Sequence, residues 1–329
     1  MALTVLFVGG TGQISLPAVQ QSVAAGHKVS VLNRGRTSVD LPKGVATIVG
    51  DMDDAASYAR LGDNHFDVVC QFRAYTPEQM RRDIATFAGK TGQYIFISSA
   101  SAYQKPARHY IITERTPLQN PYWEYSRNKI ACEQLLRDQA RLPWTIVRPS
   151  HTVRTGIPVQ IGDPDAAVRR MLAGRPVIVA GDGTSLWTLT RAADFCVPFI
   201  RLFGNKRALG EDFQITGDRG FTWDQIHAAI GRGFGVEAIH AHVPSDTLVR
   251  YNPAWEGPLT GDKSWSALFD NSKIKSVAGP FACAQDLDVI LEDSVMHAKA
   301  RLKAAPPPPT AEEALMDRII AEQAALGRS

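Results

Sequence analysis

The chain has 329 residues, 44% of them hydrophobic and 21% charged, with a formal net charge of +3. That length exceeds one typical domain and allows a sizeable core, and the composition is that of an ordinary globular protein. It offers no basic run for nucleic acid and no apolar stretch near the roughly 20 residues of a membrane span. Cys70, Cys132, Cys196 and Cys283 are widely spaced without a C-x-x-C pair, which argues against a disulfide framework and a zinc site, so no metal is expected. The chain opens directly on an apolar strand, and the reading is of a cytoplasmic protein acting on a small molecule.

That opening strand, Thr4 to Val8, runs into Gly9, Gly10, Thr11 and Gly12 and then into the helical spacing of Ile14, Leu16, Val19 and Val23. A strand, a glycine turn and a helix in that order form a dinucleotide site. The turn brings backbone N–H groups to a pyrophosphate, and the helix N-terminus adds partial positive charge. Ser15 stands at the third glycine position of the fingerprint, where a small side chain still allows close packing. Gly9 to Ile14, including Gln13, are therefore the expected cofactor cradle.

A second strand, His27 to Leu32, ends at Asn33-Arg34-Gly35-Arg36, where such folds read the adenosine ribose. A carboxylate there selects NAD; this chain has Asn33 followed by Arg34, whose guanidinium can grip a 2′-phosphate. NADP(H) is favoured and NAD(H) stays open. A third strand, Val45 to Val49, leads to Gly50-Asp51. Asp51 either accepts from the adenine amino group or caps a helix beginning near Asp53. Strands at Phe66 to Cys70 and Gln93 to Ile97 follow, the latter opening into Ser98 to Tyr103, and Thr76 reads as a helix start. Strands alternating with helices predict a Rossmann-type α/β fold, a doubly wound parallel sheet with ligands outside its strand ends.

Tyr122 to Arg137 is strongly helical, and within it Tyr125 and Lys129 stand four residues apart on one face. A phenol with a pKa of about 10 is a poor acid or base at neutral pH. A nearby ammonium would lower that value and could also bond the nicotinamide ribose. A serine from the fifth strand end would hold the substrate oxygen.

At this point the chain resembles the extended short-chain dehydrogenase/reductases, the family of sugar-nucleotide epimerases, dehydratases and reductases. The resemblance rests on Gly9–Ser15, Gly50-Asp51, the serine strand end, Tyr125 to Lys129, Arg148-Pro149, and Gly181-Asp182-Gly183 followed by Asp194. It is closer still to a bacterial subgroup labelled NAD-dependent epimerase/dehydratase, with similar LNRG, ISSASAYQKP, RPSHT, GDGTSLWTLT and DNSKIK stretches. It implies Ser99, Tyr125 and Lys129 as catalytic, with Tyr125, Lys129 and Pro149 also at the cofactor, and a homodimer built on the helix of Tyr125. Two departures matter. The 4,6-dehydratases carry Asp-Glu after the catalytic hydroxyl, where this chain has Ala100-Ser101, so dehydration is disfavoured. Nucleotide-sugar enzymes usually carry asparagine where this chain has His151, which can change protonation near pH 6.5 or simply donate a hydrogen bond.

In the distal half, Leu142 to Val147 is a sixth strand, Asp165 to Leu172 a helix and Arg175 to Ala180 a short strand. Trp187 either stacks on a substrate ring or fills the core; Ser101, His151 and Trp187 are the substrate-side candidates. Residues 191 to 203 read as a helix returning to the sheet, Phe213 to Thr216 as a strand, Trp223 to Phe234 as an amphipathic helix and Glu237 to His242 as a strand, followed by loops. Pro306 to Pro309 form a stiff linker before a last helix, about Ala311 to Ala325, which packs on the body or crosses to a partner. The expected division is a dinucleotide-binding domain of residues 1–155 plus about 190–217, a smaller substrate domain of about 156–189 and 218–304, and the 305–329 linker and helix.

The expected function is an NAD(P)-dependent oxidoreductase working on a sugar, sugar nucleotide or similar polyol, with Tyr125 as acid/base. One alternative is a sugar-nucleotide epimerase holding NAD tightly. The other is a non-catalytic cofactor-sensing or RNA-binding relative, against which the intact Tyr125/Lys129 pair and near-neutral charge speak.

Overall fold

Alternating side chains on the first strand set the architecture. In β1 (Thr4–Val8), Val5 and Phe7 point to one face while Leu6 and Val8 point to the other, and both sets are buried. A strand buried on both faces needs helices on both sides. The computed structural model describes residues 1–35, 39–139, 141–304 and 310–326; Arg36 and the Pro306–Pro309 linker lie outside the described residues. In chain order the first half contains α1 (Ser15–Ala24), β2 (Lys28–Asn33), β3 (Ala46–Val49), α2 (Ala55–Ala59), β4 (Phe66–Gln71), α3 (Pro77–Phe87), β5 (Thr91–Ile97), β6 (Ile111–Ile112), α4 (Glu124–Asp138), β7 (Trp144–Pro149) and β8 (His151–Val153). The second half contains α5 (Pro164–Leu172), β9 (Val177–Ala180), β10 (Leu186–Arg191), α6 (Ala192–Ile200), β11 (Glu211–Ile215), β12 (Gly220–Thr222), α7 (Trp223–Phe234), β13 (His240–Val243), α8 (Ser245–Tyr251), α9 (Glu256–Pro258), β14 (Leu268–Phe269), α10 (Ser272–Ala278), α11 (Leu287–Ala304) and α12 (Ala311–Leu326).

Seven strands form one parallel sheet in the order β11-β7-β5-β4-β1-β2-β3. The order reverses beside β1, the crevice where open α/β sheets bind ligands. On one face α1, α6 and α10 enclose Val5, Phe7, Phe195, Phe199 and Ile274; on the other, α3 and α4 cover Leu6, Val8, Met80 and Cys132. The predicted doubly wound α/β fold is present. All four cysteines are buried and free.

A second core gathers β8, β10 and β12 with α7 and α11 around Trp187, Trp223, Ile226 and Leu291. The loops expected after His242 contain α8 and α10, and α11 spans 18 residues where no element was foreseen. Its apolar spacing at Leu287, Ile290, Leu291, Val295 and Ala298 is helical, a signal present in the sequence. The last helix packs on the body. Met316 and Ile319 are buried, Glu313 meets Arg169 at 2.8 Å, and Asp317 meets Arg170 at 2.8 Å.

The helix that carries Tyr125 is fastened to the sheet from below. Arg148, fully buried on β7, donates to both carboxylate oxygens of Glu133 on α4 (2.8 and 2.5 Å). Its guanidinium also lies 2.8 Å from Asp212 on β11 and 3.1 Å from the Tyr103 hydroxyl. A planar guanidinium serving two carboxylates from two elements fixes their relative position. Asp194 has a comparable role, its carboxylate accepting from the Ala284 N–H at 2.9 Å.

Candidate active site

A cleft crosses the carboxyl ends of the strands. Its outer end is lined by Asn33, Arg34, Asp51, Met52, Asp53 and Arg73. Asn33 turns its side-chain oxygen to the Gly35 N–H at 2.9 Å, which leaves the exposed Arg34 to face the cleft. The two alternatives for Asp51 are resolved in part: α2 is capped by Asp54, which accepts from the Ala56 N–H, so Asp51 is not the cap. Asp51 instead accepts from the Asp53 N–H at 3.1 Å within the cleft wall.

The cleft continues along Gly9, Thr11, Gly12, Gln13 and Ile14 to Tyr75, Ser98, Tyr125, Lys129 and Pro149. Gly9 has φ +87°, and a Cβ there would lie 2.4 Å from the Arg73 side chain. Gly10 lines neither stretch. A Cβ on it would lie 2.6 Å from Val31, so the absence of a side chain there serves packing of the turn against β2. The Gly12 N–H is already engaged, donating to Ser15 Oγ at 2.8 Å. Gln13 is held from across the cleft: its Oε1 accepts from the Thr155 N–H and hydroxyl, and its carbonyl from Arg154 at 3.0 Å. A dinucleotide suits this trough on two structural grounds. The glycine turn leaves room that a side chain would fill, and Ser98 Oγ is buried at the inner end with no hydrogen-bond partner among the described residues.

Tyr125, Ser99 and Lys129 meet where this trough joins a second cavity. Ser99 caps a short turn at the end of β5, its Oγ 2.8 Å from Ser101 Oγ, which in turn lies 2.8 Å from Ser126 Oγ on α4. Burial pushes the Tyr125 phenol up to about 12; a Ser99 hydrogen bond pulls it down, and Tyr75 and Asp262 push it further up. The expected lowering by Lys129 is absent. Its ammonium donates to the Ala74 and Ile97 carbonyls, both at 2.8 Å, and stands 5.8 Å from the Tyr125 ring centre. Burial lowers Lys129 to about 7. An ammonium has three donors, so the third remains for the cleft that Lys129 lines.

The second cavity, about 280 Å³, is walled by Ser99, Ser101, Lys105, Trp123, Tyr125, Pro149, Ser150, His151, Trp187, Asp262 and Lys263 among others. Here the tertiary structure reassigns two candidates. Trp187 is 4% exposed and stacks on Trp223 at 5.7 Å in the second core. Its indole N–H donates to His151 Nδ1 at 3.0 Å. That bond leaves Nε2 carrying the proton, and burial lowers the imidazole to about 3, so His151 is a neutral hydrogen-bond donor rather than a proton exchanger near pH 6.5. Sequence reasoning missed Arg73, Tyr75, Ser98, Lys105, Trp123, Arg154, Asp262 and Lys263. Ser98 and Lys105 stood in a quoted stretch without being assigned to the site, and the others are brought there by folding. Away from this cleft, Asp224, His240 and His242 bring ligand-capable atoms within 4.8 Å of one another.

A doubly wound sheet with a glycine turn after β1, and a Tyr/Lys helix meeting a serine strand end across its cleft, define a pyridine-nucleotide enzyme. The chain belongs to the NAD dependent epimerase/dehydratase family, whose model matches residues 5–216. It is similar to 2′-dehydrokanamycin reductase of Streptomyces kanamyceticus, 28% identical over 264 residues that cover 75% of this chain and 72% of that protein. It is also 26% identical to the chloroplast stem-loop binding protein of 41 kDa b of Arabidopsis thaliana, over 76% of this chain and 66% of that one. Among solved structures, a Stenotrophomonas maltophila UDP-glucose-4-epimerase with bound NAD and formylated UDP-arabinopyranose shares the fold, with a TM-score of 0.72, 20% identity, and 92% and 100% of the two chains covered. No helix among the described residues is long and apolar enough to cross a membrane.

Proposed function

We propose that the protein transfers a hydride to or from a hydroxyl- or carbonyl-bearing carbon of a sugar, sugar nucleotide or similar polyol. Tyr125 exchanges the proton with the substrate oxygen, Ser99 orients that oxygen, and Lys129 holds the cofactor ribose. The observation that carries this reading is that Tyr125 and Pro149 line both the dinucleotide trough and the second cavity. A substrate in the cavity would thus meet the cofactor at the phenol. When bound, the nicotinamide supplies or accepts the hydride. Tyr125 is protonated at neutral pH, which suits it to donate to a carbonyl oxygen; in the reverse direction it must first lose its proton. Ser99 passes hydrogen bonding to Ser101 and Ser126, which keeps its hydroxyl oriented. His151 Nε2–H and Ser150 are further donors for substrate hydroxyls. Trp187 acts here as a positioning residue through His151.

Arg34 in the outer cleft supports NADP(H). A second reading, an epimerase retaining NAD, draws support from the Asp51 and Asp53 carboxylates in the same wall, which would repel a 2′-phosphate. The relatives' names match both outcomes, a reductase and UDP-sugar epimerases. The intact serine, tyrosine and lysine where trough and cavity join support catalysis over RNA binding. Parallel titration with NADP(H) and NAD(H), by nicotinamide fluorescence, tests these readings. Tighter NADP(H) is expected; NAD released only on denaturation would favour the epimerase, and binding of neither would sink the enzyme reading.

A further inference from the structure

The cavity beside Tyr125 contains three charged side chains that the proposed chemistry does not use: Lys105, Asp262 and Lys263. Lys105 is only 3% exposed. Among the described residues none of the three side chains makes a hydrogen bond or close ion pair, though each lysine lies within electrostatic reach of Asp262. Burial lowers both lysines and raises the aspartate. Lys105 is buried while Asp262 and Lys263 are half-buried at the cavity wall; an unpaired charge drawn partly out of water is costly, and a ligand of complementary charge relieves that cost.

The frame that holds these groups is built with care. Asp262 and Lys263 sit on a π-helical turn, Leu259–Lys263, a rare geometry that is frequent at functional sites. Asn120 clasps that turn to the serine strand end, donating to the Gly261 carbonyl at 2.6 Å and the Ser101 carbonyl at 2.8 Å. Trp123, two residues before Tyr125, packs against this segment so closely that a Cβ at Gly257 or Gly261 would come within 2.3 or 2.9 Å of it. Lys105 is anchored by its N–H on the Gln119 carbonyl at 2.8 Å. The charges are thus held in register with the Tyr125 helix rather than hanging on a loose loop.

Two ammonium groups against one carboxylate leave the cavity one charge positive, since His151 is neutral. A neutral sugar would leave that charge uncompensated. An amino sugar would add a third ammonium beside two others. An acid would neutralise the excess, while its hydroxyls could donate to Asp262. At about 280 Å³ the cavity is at the small end of ligand sites, which run from about 300 Å³ upward, so it suits a single sugar-sized ring. We propose that the substrate is a small acidic sugar or polyol whose carboxylate or phosphate faces Lys105 and Lys263, with Asp262 accepting from neighbouring hydroxyls. This rests on the oxidoreductase reading of the same site.

The test uses the full chain loaded with NADP(H) or NAD(H) and four probes on one scaffold: glucuronate, glucose 6-phosphate, glucose and glucosamine. Calorimetry and turnover are read for each. At least one acid is expected to bind about tenfold or more tighter than glucose and glucosamine, and the better acid identifies carboxylate or phosphate. Lys105→Gln and Lys263→Gln should each raise the acid's Kd about tenfold and leave that of glucose nearly unchanged, collapsing the preference. Equal or tighter binding of glucose or glucosamine, binding of none of the four, or an acid preference unaltered in both variants would overturn the inference. Cofactor titration separates the two levels: these lysines lie outside the dinucleotide trough. Failure of cofactor binding in the unaltered protein defeats the oxidoreductase reading, whereas cofactor binding without acid preference defeats only this one.

Discussion

The dinucleotide trough and the neighbouring cavity share Tyr125 and Pro149, yet they are built by different means. The trough is mostly backbone: a glycine turn, a helix start and strand ends, assembled from short contiguous segments. Arg34, Arg73, Asp51 and Asp53 decorate its outer end, where water can still reach them. The cavity is mostly side chains drawn from six segments, around residues 99–105, 112, 123–125, 149–151, 187–188 and 262–269, and it gathers three charges without pairing them among the described residues. A phosphate cradle therefore needs only local chain geometry, whereas a specificity pocket needs the whole fold to converge. Variation in one should leave the other intact unless it strikes the framework beneath both.

That expectation can be broken or sharpened, beginning with the framework. Arg148→Met leaves the buried Glu133 with only the longer Arg137 contact, while Asp212 keeps Arg137 and Lys273, and should destabilise the chain by about 3 kcal/mol, read by urea unfolding. It should weaken both regions together. Tyr125→Phe, at the shared wall, should lower turnover by roughly 10²–10⁴ while the NAD(P)(H) Kd stays within about twofold. A comparable loss of cofactor affinity would mean that the phenol belongs to the trough alone.

The pH profile should divide the two reaction directions. The folded Tyr125 phenol titrates at about 12, above its ordinary value, so it is neutral from pH 6 to 9. Oxidation, which needs the phenolate, should gain about tenfold in kcat/KM per pH unit across that window, whereas reduction should show no such rise and should fall as Lys129, lowered to about 7, loses its proton. Equal profiles would show that another group sets the proton balance. Arg34→Ala should weaken NADP(H) by about tenfold with little effect on NAD(H), by parallel fluorescence titration. The smallest effect is expected from Trp187→Phe, which keeps the stack on Trp223 but removes the donor to His151. The loss should be about 1 kcal/mol, seen as a raised KM with kcat largely kept.

Much of the trough was legible because its signals are short. The β-branched strand, the glycine spacing and the helical period predict each other within a few residues, and Thr76 was recognisable as a helix start because its capping box with Gln79 spans one turn. The local pattern was less decisive where two roles share it. Gly10 looks like its neighbours in the turn but packs on Val31. Asp51 was left between an adenine contact and a helix cap, and the cap proves to be Asp54, three residues further on. Lys129 was expected to tune Tyr125 because i and i+4 share a helix face, but its long side chain turns to the Ala74 and Ile97 carbonyls, which no helical spacing could reveal. The helix at Leu287–Ala304 is a different case: its periodicity was readable, and only the surrounding irregular stretches hid it.

By itself the amino-acid sequence determined the doubly wound sheet, the glycine cradle after β1 and the grouping of Tyr125 and Lys129 on one helix. Each depends on hydrogen bonding and packing over one or two turns of chain. Only the tertiary structure decided that His151 is neutral and tied to Trp187, that Arg148 is a buried clamp, and that Lys105, Asp262 and Lys263 surround one cavity. Those properties depend on distance and on exclusion of water between residues remote in sequence, and charges in a sequence acquire their energies only when the fold sets what lies beside them.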